Sequence, residues 1–323
     1  MRFLKSKEGG IFLIVLLLFI VLSFLNPVFL TFDNLIDVVQ TNVVLGILAI
    51  GMTLVIIIGG IDVSVGAMTA AVTVLIGKFM VGFGYSLPVV LLLAAAGGTL
   101  LGAINGFLVS RIKVQAIVVT LGTLSIYSGL TMYVTGGVWI NNLPQSFIDF
   151  GRIRLPGGIP IQIVFLVLIA LFTAYLLKYL RIGRSVYALG GNMRSAERAG
   201  ISVARVQMFV YSYMGFLAGI AAFVHTSIYR QVDPNAFNGF ELQVIAAVVL
   251  GGANILGGSG RVSGTLLGVA LLALIGNGLT LAHVPSFWHK VIIGSFIAAA
   301  VVFDVLQRRR IEKQLVKIDV LQS

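Results

Sequence analysis

The sequence predicts an all-α integral membrane protein, a single transmembrane domain over residues 1–323 with about ten spanning helices. Three observations carry that prediction. Charged residues make up only 10% of the 323 residues, against about 25% in soluble domains. Mean hydropathy is +1.07. The apolar runs also approach the roughly 20 residues that a helix needs to cross hydrocarbon.

The runs fall at 11–30, 34–58, 63–81, 88–110, 114–135, 160–180, 205–229, 241–256, 262–282 and 285–306. The first follows the basic start MRFLKSKEGG, as a signal peptide would. It ends in Asn26-Pro27 with no small-x-small cleavage site, so it reads as an uncleaved span. Between the fifth and sixth runs, residues 136–159 mix Trp139, Phe147 and Phe150 with Asn141 and Asn142. That mixture fits either an interfacial helix or an aromatic belt. The run at 241–256 is short and contains Gly251-Gly252, which fits either a broken helix or one continued by the next glycines. Gly98, Gly102 and Gly106, and Gly260, Gly264 and Gly268, recur at every fourth position. Such spacing lines one helix face with small residues and lets backbones approach. Segments 51–71 and 246–268 share a texture of apolar run, Gly-Gly, polar turn and small-residue helix. The texture raises an inverted repeat of two five-span halves.

An even number of spans puts both termini on one side, and basic residues say which. With the N-terminus inside, Arg2, Lys5, Lys7, Arg111, Lys113, Lys178, Arg181, Arg184, Arg194, Arg198, Arg205, Arg261 and the cluster Arg308 to Lys317 fall inside. Arg152, Arg154 and Arg230 fall outside. The asymmetry places both termini and residues 181–205 in the cytoplasm.

Several function classes find no support. The chain has no cysteine, which excludes disulfides, thiolate metal sites and cysteine nucleophiles. The net charge of +11 does not argue for nucleic acid, because its basic residues sit at span ends, where orientation and lipid head groups explain them. Gly77-Lys78 is followed by Phe79, and Gly257-Gly258-Ser259-Gly260 carries no lysine, so no phosphate cradle is present. His225, His283 and His289 lack metal-ligand spacing, and no serine sits in a nucleophile elbow. No catalytic residue, metal site or bound cofactor is expected on this chain. Asp62 reads as the N-cap of the third span, ahead of the alternative of a direct role in transport; Glu241 reads as the start of the eighth, and Asp304 and Arg308 as an interfacial pair. No relay of carboxylates crosses the membrane, which argues against a self-contained secondary transporter or channel. Asn42, Asn105, Thr123, Tyr127, Asn254 and Asn277 are candidates to line a pathway. Their uncharged donors and acceptors suit a neutral polyhydroxylated solute, and the same groups also serve hydrogen bonding between helices.

The segment RIGRSVYALGGNMRSAERAGISVAR, residues 181–205, concentrates charge in a hydrocarbon-rich chain. Gly190-Gly191 reads as a flexible turn, Asn192 as an N-cap, and Gly200 as the stop of a helix begun at Met193. Two turns are too few to stand alone, so neighbouring spans or a partner must hold this helix. An ordinary basic loop on the inner face is the plainer reading of such a segment, and the capped helix favours a place for a soluble partner to dock.

Within that segment, GRSVYALGGNMRSAERAGI at 183–201 resembles the cytoplasmic coupling loop of permease subunits from bacterial ABC importers for simple sugars. The ribose, xylose and galactose permeases belong there. AIGMTLVIIIGGIDVSVGAM at 49–68 and NGFELQVIAAVVLGGANILGGSGRVSGTLLG at 238–268 are similar to two further signatures of that family. TGGVWINNLP and VPSFWHKVIIG look closest to its rhamnose or furanosyl-autoinducer branch. The resemblance covers essentially the whole chain. It implies the type II ABC importer fold and a bacterial inner-membrane location. It implies a pathway between this subunit and a second copy or a sister permease. Cytoplasmic ABC ATPase subunits, using ATP and magnesium, would dock on the short helix, and an extracytoplasmic sugar-binding protein would deliver the solute. Gly183, Arg184, Asn192, Ala196, Gly200 and Ile201 stand at the family's characteristic coupling positions, with Glu197 on the docking helix. A branched-chain amino-acid permease, which shares this fold texture, is the alternative within the same class.

Overall fold

The computed structural model describes residues 7–83, 86–285, 287–289, 291–295 and 298. Asp304, Arg308 and most of the run 285–306 lie outside the described residues. The helices are α1 (Lys7–Leu25), α2 (Phe32–Ile57), α3 (Val65–Phe83), α4 (Leu87–Ser110), α5 (Ala116–Thr135), α6 (Gln145–Arg152), α7 (Ile161–Tyr179), α8 (Arg181–Gly191), α9 (Met193–Arg198), α10 (Val203–Tyr229), α11 (Phe240–Leu250) and α12 (Val262–Leu281). Strands β1 (Arg154–Leu155) and β2 (Ile159–Pro160) pair antiparallel between α6 and α7.

Among the described residues, eight helices are long and apolar enough to cross a membrane: α1 to α5, α7, α10 and α12. The eighth apolar run does not form a full span. It gives α11, whose 11 residues cover only about 16 Å at 1.5 Å per residue. Gly251 and Gly252 end the helix in a turn, so the broken-helix reading holds.

Two central helices organise the core. From Val43 to Ile57 every residue of α2 is buried, as expected of a helix apolar on all sides. The other centre is α10, which crosses α4 at backbone contact. A Cβ on Gly98 would meet the Gly215 carbonyl and the Gly219 amide, and one on Gly102 would meet Tyr211 and Gly215. The register makes α4 and α10 antiparallel, and glycine is what permits the approach. In the second glycine series, Gly264 and Gly268 lie on α12 against Gly251 and Ala247. Gly260 precedes that helix and packs on Ile57 and Ala253 instead.

Polar pairs fix α2 against α12. Near one end Asn34 and Asn277 exchange two amide hydrogen bonds of 3.3 and 2.8 Å. Near the other end the Thr53 and Thr265 hydroxyls meet at 2.6 Å. Both α2 and α11 thus run antiparallel to α12, and the two Gly-Gly segments share one orientation. Inverted halves would have given these two segments opposite orientations.

The bundle has two recognisable ends. At one, α6 lays Phe147 edge-on against Phe223 of α10, 5.4 Å between ring centroids. Residues 136–159 are therefore part of the packed structure, with Trp139 left half exposed. At the other end, α8 caps the turns after α2 and α11, and α9 follows it.

Candidate functional site

The α9 end is built from backbone geometry. Leu180, with φ −81° and ψ 151°, breaks α7 and starts α8. Gly183 then lies directly on the Leu176 and Leu177 backbone, where a Cβ has no room. Val186 and Leu189 bury the same side of α8, and Arg184 stays exposed with its Nη1 donating to the Tyr179 carbonyl at 3.3 Å.

Asn192 adopts an extended conformation, φ −158° and ψ 106°, and its Oδ1 accepts from the Ser195 amide at 2.9 Å. That caps α9. At its other end Gly200 takes φ +81°. The Ile201 amide donates to the Ala196 carbonyl and the Gly200 amide to the Glu197 carbonyl, each at 3.0 Å. These two bonds are a Schellman closure, which places a left-handed glycine just past the helix end. Ala196 is the buried residue of α9. Met193, Arg194, Ser195, Glu197 and Arg198 are exposed. Arg181, Arg184 and Arg205 extend the basic surface around them.

The glycine pair ahead of α9 differs from the sequence reading. Gly190-Gly191 is the last turn of α8, not a flexible linker. A Cβ on Gly190 would strike the Ile57 carbonyl and come 2.7 Å from the Gly258 amide. The Gly258 amide itself donates to the Ile57 carbonyl at 2.8 Å. The Tyr187 hydroxyl donates to the Gly260 carbonyl at 2.7 Å. Burial raises the Tyr187 phenol above its ordinary value, against a smaller opposing effect of Arg261, and keeps it a neutral donor. Ile57, Tyr187, Gly190 and Gly258 were missed as a group. One signal was present: Gly183, Tyr187 and Gly190 recur at i, i+4 and i+7, one helical face.

Two cavities flank this junction. One of about 720 Å³ lies behind α9, lined by Met193, Glu197, Gly200 and Ser202 together with Gly59, Gly60, Gln115 and Tyr211. The other, about 890 Å³, is lined by Lys178, Tyr187, Gly252 and Ser259 and by the ion pair of Glu8 with Arg261 at 3.2 Å.

Asp62 lies two residues ahead of the cap position it was expected to fill. Its Oδ1 accepts from the Ser64 amide at 2.9 Å and the Ser64 hydroxyl at 2.6 Å. Asn105 Nδ2 donates to the same hydroxyl at 2.8 Å. All three residues are fully buried. Among the described residues Asp62 Oδ2, Asn105 Oδ1 and the Tyr211 hydroxyl have no hydrogen-bond partner.

The pathway candidates do not converge on one place. Asn42 and Asn277 share a cavity of about 350 Å³ toward the α6 end, with Asp37 and Gln243. Asn105 belongs to the Asp62 network. Thr123 bonds within α5, to the Thr120 carbonyl, and Tyr127 donates to the Leu101 carbonyl of α4 at 3.0 Å. Asn254 lies in the turn after α11, where its side chain donates to the Gly257 carbonyl and accepts from the Leu256 amide.

Comparison with known proteins places the chain as a whole. A family model described as branched-chain amino acid transport system / permease component matches residues 34–301. The chain is 36% identical over 310 residues to the ribose import permease of Haemophilus influenzae, covering 94% of each. It is 37% identical over 311 residues to the autoinducer 2 import system permease of Escherichia coli, covering 96% of this chain and 90% of that one. It is likewise 37% identical over 293 residues to the ribose import permease of Escherichia coli, covering 90% and 91%. No solved structure matches.

Proposed function

The chain belongs to the branched-chain amino acid transport system / permease component family, and we propose that it imports a simple sugar or sugar-like solute as the membrane-spanning permease of an ATP-driven importer. The observation that carries the sugar class is the identity of 36 to 37% along nearly the whole chain with ribose and autoinducer 2 permeases. It favours a sugar over a branched-chain amino acid. The chain is a translocation component, and ATP hydrolysis resides in a separate subunit of such importers.

In this reading the whole chain is one permease domain, and residues 181–205 are its coupling loop. The α9 end faces the cytoplasm with both termini, in the inner membrane of a bacterium. The excess of basic residues at that end supports the orientation. Two ATPase subunits, which hold ATP and magnesium, dock on the exposed face of α9. A binding protein delivers solute at the α6 end, and a second permease copy or a sister permease completes the pathway.

The mechanism follows from rigidity. Closure of the ATPases displaces α9, whose two caps keep it a unit. The displacement passes through α8 to Gly190, which lies backbone to backbone on Ile57 and Gly258. The ends of α2 and α11 must then move with it, because close-packed backbones shift together. Affinity for the solute can reside in the binding protein, so the permease needs no charged site.

Gly200→Pro and Glu197→Arg test the docking role. Gly200→Pro cannot adopt the positive φ, and Glu197→Arg inverts the charge on the docking face. Both should lower uptake and ATPase co-purification while the permease still inserts into the membrane. Normal uptake with normal co-purification in both variants contradicts the proposal.

A further inference from the structure

Residues 231–239, between α10 and α11, form no helix: Val232 pairs with Ile140 in an isolated β-bridge, and residues 234–239 run as turns. They pass alongside α3. A Cβ on Gly77 would lie 2.8 Å from Val232, and one on Gly66 would lie 2.7 Å from the Phe237 carbonyl. Gly66 and Gly77 are separated by about 16 Å of helix axis. The Phe237 ring meets that of His225 at 4.6 Å, four residues before the end of α10. On the other side, Gly66 stands two residues from Ser64, which holds Asn105 five residues before the end of α4. The segment therefore sits at depths that α4 and α10 cross as helices.

Irregular backbone at membrane depth survives only where protein or water covers it. Yet Asn235 and Asn238 are exposed. Asn238 Nδ2 donates to Asn235 Oδ1 at 3.1 Å, which leaves the Asn235 amino group and the Asn238 carbonyl to take other partners. Beside them is a cavity of about 220 Å³, lined by Ala70 of α3, by Ser128, Gly129 and Met132 of α5, and by both asparagines. No charged side chain lines it. It is smaller than the roughly 300–1,000 Å³ of pockets for drug-sized ligands, which sizes it for one small ring.

We propose that this cavity is a subsite on the translocation pathway for one ring of a neutral, polyhydroxylated solute. The amides and the Ser128 hydroxyl exchange hydrogen bonds with the solute's hydroxyls, and Ala70 and Met132 face its C–H surface. A zwitterionic amino acid would find no counter-charge here. The solute class rests on the sugar-import reading; water access to the cavity does not.

The natural absence of cysteine allows a direct test. Asn238→Cys is introduced into the assembled transporter in membrane vesicles and treated with a charged, membrane-impermeant thiol reagent, with Leu168→Cys on the exposed side of α7 as the lipid-facing control. The subsite requires labelling of Asn238→Cys but not of Leu168→Cys, and at least a tenfold fall in ribose uptake after labelling. Gly129→Phe, which has open space beside its Cβ, should lower uptake similarly while the ATPase still co-purifies. An unlabelled Asn238→Cys, or labelling without loss of uptake, overturns the subsite. If the unmodified transporter moves neither ribose nor any of a panel of pentoses and hexoses, the sugar reading fails. Labelling, which needs no solute, still decides the cavity.

Discussion

The Gly258 amide donates to the Ile57 carbonyl across 2.8 Å. This bond joins the end of α2 to the turn between α11 and α12, and Gly190 of α8 lies against both partners. Three distant stretches of chain meet there through backbone alone. In the proposed coupling, movement of the basic α8–α9 surface would reach the membrane helices through this junction.

Gly190→Val tests the junction. Its side chain collides with the Ile57 carbonyl and the Gly258 amide, and overpacking of this kind costs about 1–3 kcal/mol. A lower melting temperature of the purified permease is expected, with uptake reduced more than the folded fraction. Gly191→Val, at an open position, is the control and should change neither by much.

The α4–α10 crossing should be less tolerant still. Gly98→Leu meets the backbone of Gly215 and Gly219, which cannot move aside as a side chain can. A loss of about 1–3 kcal/mol or more is expected, read as a fall in folded, membrane-inserted protein. Gly122→Leu on α5, with nothing within 4 Å of its Cβ, should accumulate normally.

Much of α9 was legible in the sequence because its caps are local. Asn192 and Gly200 act on residues within a few positions of themselves. The role of Gly190 was not legible, because the need for glycine there is set by Ile57 and Gly258, far away in the chain. The same holds inside the membrane. Hydropathy located the eight long helices but not the descent of residues 231–239, since irregular polar segments carry no periodicity. Asn105 and Tyr127 looked available for a solute because a sequence does not reveal that Ser64 and the Leu101 carbonyl already engage them.

Removing the Asp62 carboxylate should separate hydrogen bonding from charge. Asp62→Ala leaves the buried Ser64 amide and hydroxyl without their acceptor, at about 1–3 kcal/mol for each group left unpaired. Asp62→Asn keeps an acceptor oxygen and should retain most of that stability. Thermal unfolding of the two variants beside the parent measures the difference.

Tyr187→Phe should weaken the contact of α8 with the turn before α12 by about 0.5–1.5 kcal/mol, the net worth of one hydrogen bond. It also carries a pH signature. Burial raises the Tyr187 pKa in the folded state above 10.0, so the unfolded chain ionises first. This contribution to stability is complete below pH 10.0 and is lost as pH rises through the folded-state value. The Phe variant should lack that alkaline loss when melting is followed against pH.

The most direct test of the central claim is cross-linking from α9. Ser195 is exposed on a chain free of cysteine, so Ser195→Cys gives a single reactive position. In the assembled importer it should cross-link to the ATPase subunit, and the bond should abolish ATP-driven uptake. Failure of Ser195→Cys to cross-link while Lys113→Cys, on the neighbouring α4–α5 turn, does so would contradict the assignment of α9 as the docking helix.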